Sequence, residues 1–558
     1  MIRLACAVLS AILVGAMPAT GFSIDKSRYF SGPQVEQDSR AAAIAAARAF
    51  TRSAAPRTRD GWYQWLQRYD ALLVELERHD VYVYLRAEED DRDVAGADAD
   101  AVLGNVEEAT HARVVRAAKE LGAQGIASLT ASRRLGPFRF LLERALEESK
   151  HRLSPADARA VATAVTPVLD ASATTYKAMR KSGDSIERRQ DAYAALLVAI
   201  ALANNGVARL RGFGGAPEAS YFDKALSGAS VERVLAAVKS LPAYARYHQV
   251  AKAAPTPAFS PPPVSPADAI PLILAAAQAM GDDYGGQYAA LLAPANGRLE
   301  ICTDPHCDRT GFSMGFSRVT SAVYFGSYDG SAGSVRAVAH ESGHAVHRQF
   351  MNLHQPIAAY NEGPHFMFES FAIFNELLFL DHLYRTAATN AARAYYLDYF
   401  LKDATFQVYG SAEETDLESA IYRGVADRSL RTAADFDALT RAVFAKYDPS
   451  SADDPATALY WARDRLFFSD PLYDVNYLYA GLLSLKYFDE YERAPADFSR
   501  RYVALLKNGF NDTPTHLEKQ FLGIDLNDEA GLVHDAGRLI DRKTDTLAQL
   551  YGVRTPLK

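Results

Sequence analysis

Apolar residues recur every three or four positions along most of the chain. The pattern is clearest in residues 60–80, 137–151 and 154–182. Because this spacing matches the turn of an α-helix, these segments are predicted to be amphipathic helices. Ser and Asp near their starts are typical helix caps. The sequence therefore predicts a mainly α protein in which the aromatic residues of these helices fill the core.

Two stretches interrupt the helical pattern. Prolines are concentrated in residues 252–269, which we interpret as the boundary between an N-terminal helical region, residues 22–251, and a second region, residues 270–558. Residues 297–330 then combine β-prone side chains with Gly and Pro, which indicates a small β-sheet. This sheet is expected directly before a histidine-rich helix.

The first residues have the features of a secretory signal. Residues 1–21 begin with Arg3, continue with an apolar segment and end in Pro18 and small residues. The alternative is an uncleaved anchor, but the apolar segment is shorter than the roughly 20 residues that span a bilayer. We therefore expect a periplasmic or secreted protein with no membrane span after signal removal, and the cleavage site stays open.

Two cysteines follow the signal segment. Cys302 and Cys307 lie in one short loop, and export to an oxidising compartment favours a disulfide between them. A small metal site that also uses His306 and a pair of free thiols are the alternatives.

Size and charge exclude other classes of protein. A chain of 558 residues with 49% hydrophobic residues can fill a large core, so disorder is excluded. The net charge of −8 is spread along the chain without a run of Lys and Arg. Nucleic acid is therefore not an expected partner.

The chemistry is concentrated in residues 337–350. His340 and His344 are four residues apart, which places both on one face of a helix where they can bind the same metal ion. Glu341 has the position of the general base that takes a proton from the attacking water. We interpret His347 as an orienting or packing residue, because a fourth protein ligand would close the water position.

A catalytic zinc takes three protein ligands, so a third must come from elsewhere. Glu369 follows His344 by 25 residues, which allows the first helix to end and a second helix to return beside it. Glu362 and Glu376 compete for this role. Glu362 lies in a predicted turn, whereas Glu376 is suited to orient a ligand histidine. Manganese or cobalt could replace zinc at such a site in vitro.

Residues 340–347 and 369–376 resemble the signature of the thimet oligopeptidase and oligoendopeptidase F metallopeptidases. The resemblance extends over most of the chain after residue 21. It implies a large, helical, two-lobed body with a deep substrate channel, a small sheet next to the HExxH helix, and one zinc per chain. It also assigns His340, His344 and Glu369 as the zinc ligands, Glu341 as the base, and short peptides as substrates.

The resemblance implies further contacts. The strand at residues 321–326 would pair with the substrate backbone, with Tyr324 and Gly326 as contacts. Relatives use a late histidine and tyrosines to stabilise the oxyanion of the tetrahedral intermediate. The matching segment, residues 461–483, has tyrosines but no histidine. We expect Tyr473 and Tyr477 to take this catalytic role and Tyr479 to pack in the core.

Three functions follow from these features. The first is an exported zinc oligopeptidase that cuts short unstructured peptides. The second is a peptidyl-dipeptidase similar to angiotensin-converting enzyme, and the position of the cuts would separate it from the first. The third is a zinc-containing peptide-binding protein with little turnover, which the missing histidine favours and the presence of Glu341 opposes. The peptide preference and the oligomeric state stay open.

Overall fold

The structure is a computed structural model that describes residues 21–554, except 91, 256–257, 303–305, 308–309, 450 and 452–453. Residues 1–20 of the predicted signal segment lie outside the described residues. Helices make up 74% of the chain, beside one small sheet. The predicted mainly α fold is thereby confirmed.

Helices form both halves of the chain. Before the proline-rich segment the helices are α1 Pro33–Thr51, α2 Arg59–Glu89, α3 Val94–Thr130, α4 Arg139–Glu148, α5 Pro155–Ala160, α6 Thr166–Lys181, α7 Ile186–Leu210, α8 Ala216–Asp223, α9 Gly228–Lys239 and α10 Ala243–Lys252. After it they are α11 Pro266–Gln278, α12 Asp282–Leu292, α13 Ala332–His354, α14 His365–Thr386, α15 Asn390–Thr405, α16 Ser411–Ala426, α17 Ala433–Phe444, α18 Pro455–Ala458, α19 Tyr460–Arg463, α20 Leu466–Ser469, α21 Asp474–Arg493, α22 Pro495–Asn508, α23 Pro514–Leu522 and α24 Glu529–Tyr551.

A three-stranded sheet lies directly before α13, as expected. Its strands are β1 Leu299–Ile301, β2 Gly311–Phe316 and β3 Val319–Phe325. The central strand, β3, runs parallel to β1 and antiparallel to β2. Just after β1, Cys302 forms a disulfide with Cys307. This pairing is the one that the cysteine spacing and the predicted export favoured.

The expected pairing of β3 with a substrate backbone is wrong. Both edges of β3 are already paired, with β1 on one side and β2 on the other. Tyr324 is fully buried, and its hydroxyl donates to the Glu88 carbonyl over 3.1 Å. The Gly326 N–H donates to the Thr310 carbonyl over 2.9 Å. Among the described strands, β1 and β2 are the edge strands of the sheet, and β2 packs against α13.

The buried apolar side chains of the described residues form three cores. The first surrounds α13, α14, α21 and α24, and it also includes residues of α9 and α10. The second joins α1–α4 to the sheet, and the third joins α6–α8 to α16, α17 and the short helices α19 and α20. The first core therefore contains helices from both sides of the proline-rich segment at residues 252–269.

One helix of the described residues, α7, is long and apolar enough to cross a membrane by length and composition. Its Tyr193, Leu197 and Ile200 are buried in the third core. That core also holds Leu417 and Ile421 of α16. These apolar residues of α7 therefore pack against α16 in the core of the protein.

Candidate active site

Helix α13 carries the paired histidines. The Ser331 hydroxyl accepts the Ser334 N–H over 3.1 Å and caps the start of the helix. His340 and His344 follow two turns later, on one face, with ring centroids 4.8 Å apart. The helix thus presents two imidazoles to the same point, as their spacing predicted.

Helix α14 returns alongside α13 and brings Glu369 to this point. The Glu369 Oε2 atom lies 3.3 Å from His340 Nε2 and 3.6 Å from His344 Nε2. Close packing of the helices depends on Gly343, since a Cβ atom there would lie 2.6 Å from Asn375 Nδ2 and 3.0 Å from Ala372 Cα. A side chain at position 343 would therefore separate the two helices that hold the three groups.

The three groups fit a zinc ion. Two ligand atoms about 2.0–2.1 Å from a tetrahedral zinc lie about 3.3–3.4 Å from one another. The separations from Glu369 Oε2 to the two histidine nitrogens are close to this value. Glu369 is only 8% exposed, and its Oε2 atom has no hydrogen-bond partner among the described residues. A buried carboxylate oxygen aimed at two imidazole nitrogens is an expected zinc donor set.

Electrostatics support a charged Glu369. Burial favours the neutral form of this carboxyl, but the neighbouring His340 and His344 outweigh burial and hold the pKa of Glu369 well below its usual range. The group is therefore a carboxylate at neutral pH, which is the form that binds metal.

Glu376 orients the first histidine. Its Oε1 atom contacts His340 Nδ1, and its Oε2 atom contacts Arg336. The Arg336 guanidinium also pairs with Asp403 over 2.9 Å. Because Nδ1 of His340 is occupied by a carboxylate, Nε2 is the nitrogen left to face Glu369. The orienting role expected for Glu376 is thus the one that its contacts support.

Replacing Glu376 by Gln should weaken metal binding. The amide cannot supply the negative charge that fixes the His340 tautomer, and losses of such contacts typically cost about 10- to 100-fold in metal affinity. We expect this range for Glu376→Gln in a zinc competition titration, with activity restored by excess zinc. The matched control is Glu143→Gln, which alters an exposed ion pair with Arg139 on α4. Equal zinc affinity in the two variants would contradict the orienting role.

Glu341 lies beside the three candidate zinc ligands, and its side chain is half-buried. Burial raises the pKa of Glu341 above its ordinary value, as expected for a carboxyl that exchanges protons. The first residue of β2, Gly311, passes over it: a Cβ atom there would lie 3.6 Å from Glu341 Cγ and 2.7 Å from Phe325 Cδ2. The missing side chain at Gly311 leaves room for the Phe325 ring, and this end of β2 lies next to the candidate base. Gly311 was not predicted as a site residue.

The late tyrosines occupy different positions. The Tyr473 hydroxyl donates to Glu369 Oε1 over 2.7 Å, so it supports the candidate zinc ligand. Tyr477 lies next to it, with ring centroids 5.3 Å apart, and its hydroxyl has no hydrogen-bond partner among the described residues. Tyr479 is buried, and its hydroxyl meets Ser230 at 3.0 Å, which agrees with a packing role. Tyr477 is therefore the tyrosine with a free donor at the site.

Tyr477→Phe should lower turnover without changing zinc content. Removal of one hydrogen bond to a developing oxyanion costs on the order of a hundredfold in kcat. The measurement is kcat and KM on one peptide, with zinc determined by mass spectrometry. Tyr479→Phe on the same helix is the matched control, because its hydroxyl is bonded to Ser230. If the two variants turned over equally, Tyr477 would be a packing residue.

Two other histidines have distinct surroundings. His347 is buried among Phe368, Phe371 and Phe510, and burial lowers its pKa well below the usual range. It is therefore a neutral packing residue, one of the two roles expected for it.

His365 was not predicted as a residue near the site. It is exposed at the start of α14, and its ring lies 5.8 Å from that of Tyr473. Its position four residues before Glu369 is the sequence signal that could have revealed it.

A cavity of about 380 Å³ reaches His365. Helices α2, α3 and α4 form one side of it, and the turn at residues 359–365 forms the other. A larger cavity of about 820 Å³ lies between α7–α9 and α16 and contains none of the three candidate ligands. The smaller cavity is not lined by the candidate ligands either, but through His365 it reaches the first turn of α14, the helix that carries Glu369.

The two-histidine, one-glutamate donor set beside Glu341 is the arrangement expected of a metallopeptidase. Residues 311–536, which contain every candidate catalytic and metal-binding residue, match the family model for Peptidase family M3. The match confirms the resemblance found in the sequence. No curated protein matches the chain.

Solved structures share the whole fold. A candidate peptidase from Chlamydophila abortus matches with a TM-score of 0.74 and 17% identity, over 95% of this chain and 98% of that chain. Oligoendopeptidase-F from Enterococcus faecium matches with a TM-score of 0.63 and 16% identity, over 94% and 99% of the two chains. PZ peptidase A, solved with an inhibitor, matches with a TM-score of 0.71 and 14% identity, over 91% and 97%. At these identities the likeness is one of fold.

Proposed function

We propose that this chain is an exported zinc metallo-oligopeptidase that hydrolyses peptide bonds in short, unstructured peptides. The observation that carries the proposal is the meeting of His340, His344 and the unpartnered Glu369 Oε2 atom beside Glu341. These residues lie within the segment that matches Peptidase family M3.

Each residue has a distinct task. His340, His344 and Glu369 would hold the zinc, which when bound polarises the substrate carbonyl and acidifies water. Glu341 takes a proton from the attacking water and delivers it to the leaving amine nitrogen. The free hydroxyl of Tyr477 donates to the carbonyl oxygen as negative charge develops there. Tyr473 and Glu376 hold the ligand carboxylate and imidazole in place.

The cavity near the site supports short peptides as substrates. It reaches His365 at the start of α14 and is lined by α2, α3 and α4 and by the turn before α14. An extended peptide strand can enter a space of about 380 Å³, whereas a folded domain cannot. The edge strand β2 beside Glu341 offers backbone groups to such a strand.

Two features support export to the periplasm or the outside of the cell. The sequence of residues 1–21 has the pattern of a signal peptide. The Cys302–Cys307 disulfide is typical of oxidising compartments. Fractionation of cells that express the full chain, followed by N-terminal sequencing, tests this part: an uncleaved protein in the cytoplasm would overturn it.

The activity is tested with unstructured peptides of graded length, incubated with the purified protein and followed by mass spectrometry. We expect internal cuts in short peptides, and none with a folded protein. A chelated sample and the Glu341→Gln variant should produce no cuts. Removal of dipeptides from one end alone would assign a peptidyl-dipeptidase, and zinc and peptide binding without any cuts would assign a binding protein.

A further inference from the structure

A second cluster of possible metal ligands lies outside the active site. It consists of Glu414 on α16, Asp464 between α19 and α20, and Asp474 at the start of α21. One carboxylate oxygen from each residue lies within 4.8 Å of the others. Glu414 and Asp474 are 5% and 1% exposed, so the cluster is largely removed from water.

The polar contacts of these carboxylates are incomplete. The Tyr460 hydroxyl donates to Glu414 Oε1, and the Leu466 N–H donates to Asp464 Oδ1 over 2.8 Å. The Asp474 Oδ2 atom is buried and has no partner among the described residues. Leaving a buried carboxylate oxygen unpaired is costly, so Asp474 requires a proton or a cation.

Protein cations do not supply this charge. Across the described part of the chain, none of the three carboxylates forms an ion pair with Lys, Arg or His within 4.0 Å. A fourth buried carboxyl lies nearby: Glu418 is 1% exposed, and its Oε1 atom accepts the Leu472 N–H over 2.7 Å. Burial and the neighbouring Asp464 together raise the pKa of Glu414 to about 8. The acids thus oppose one another's ionisation.

We propose that Glu414, Asp464 and Asp474 bind a hard divalent cation of the calcium type, at a site separate from the zinc ligands. The donors are all oxygen atoms, which calcium prefers over the nitrogen-rich sets that zinc selects. Calcium–oxygen distances of about 2.3–2.6 Å allow ligand oxygens on opposite sides to lie roughly 5 Å apart. The separation of the three carboxylates falls within this span.

Such an ion would fix the segment that carries the site tyrosines. It would tie α16 and the turn at residues 464–466 to the first residue of α21. Leu472 in the preceding turn has a positive φ of 63°, an unfavourable conformation for a branched residue, and its N–H is held by Glu418. Tyr473 comes directly before Asp474 and donates to Glu369. The cation site therefore supports the tyrosines through the backbone, without touching substrate.

The test is calcium binding by the purified chain loaded with one equivalent of zinc. Equilibrium dialysis against calcium chloride should show one bound calcium per chain, and calcium should raise the Tm. Asp474→Asn and Glu414→Gln should abolish both effects and keep the zinc. Asp470→Asn is the matched control, because Asp470 lies in the same acidic region but outside the three-carboxylate group.

Calcium binding by the wild-type chain tests the proposed cation site even if a variant fails to fold. Absence of bound calcium, with magnesium and manganese also giving none, would overturn the proposal and assign shared protons to the cluster. In that case Asp474→Asn should unfold at a higher temperature than the wild type, because it removes a buried acid. Calcium bound equally by Asp474→Asn and the wild type would also overturn the assignment. Zinc content and peptide cleavage are read separately, so failure of this site leaves the oligopeptidase proposal intact.

Discussion

Glu341→Gln should abolish nearly all peptide hydrolysis and leave zinc binding unchanged. Glu341 lies beside the three candidate ligands but is not one of them, so the metal keeps its protein donors. The amide has almost the same size as the carboxyl but cannot accept a proton from water. Loss of a general base typically lowers the rate by about 10²- to 10⁴-fold. The measurement is kcat on one peptide together with zinc per chain.

The same variant separates binding from chemistry. Because the fold and the metal are retained, Glu341→Gln should bind an uncut peptide with an affinity close to the KM of the wild type. Glu75→Gln is the matched control: its carboxylate pairs with Arg78 on α2 and is 46% exposed. If Glu341→Gln kept wild-type turnover, the proton would have to move through another group, and His365 near Tyr473 would be the next residue to replace.

The ligand set could be predicted because it depends on short-range periodicity. His340 and His344 share a face through the helical repeat, and that repeat does not change with tertiary context. Glu369 could be found because α14 is a second apolar helix, separated from α13 by only ten residues. With so short a connection, two helices of this length pack side by side. The site therefore required only local patterns and one short turn.

The sheet was harder to predict for a physical reason. The apolar run in β3 indicated a strand, but strand propensity does not reveal which neighbours pair with it. Its parallel partner, β1, is only three residues long, and it is joined to β3 through β2 and the cysteine loop. Without that pairing, β3 looked like an open edge and Tyr324 like a substrate contact. The edge strand next to Glu341 is β2, through Gly311.

The positions of the late tyrosines could be predicted from the sequence only in part. Their spacing of four suggested that Tyr473 and Tyr477 face the site together, and their rings do meet. Helix α21, however, begins only at Asp474, so Tyr473 precedes it and follows a turn with a left-handed Leu472. This geometry sends one hydroxyl to Glu369 and leaves the other free. The cluster of Glu414, Asp464 and Asp474 could not be predicted from the sequence either, because its members come from three places in the chain spread over 61 residues.

His344→Ala and Glu369→Ala should lose both zinc and hydrolysis, in contrast to Glu341→Gln. Each removes one of three donors, and loss of a contact that merely orients a ligand already costs about 10- to 100-fold in affinity. We therefore expect a fall in zinc affinity of more than a hundredfold, with activity below detection at micromolar zinc. Zinc should raise the Tm of the wild type and leave that of either variant unchanged, because ligands stabilise only the state that binds them.

The two variants should also differ from each other. Glu369→Ala removes the acceptor of the Tyr473 hydroxyl as well as a ligand, whereas His344→Ala leaves that hydrogen bond in place. Glu369→Gln keeps the volume and an acceptor for Tyr473, so it distinguishes loss of the charge from collapse of the site. Full zinc occupancy and activity in Glu369→Ala would require another third ligand. Glu376 already contacts His340 and Arg336, and Glu362 pairs with Arg348 over 2.9 Å, so either could bind zinc only after leaving its partner.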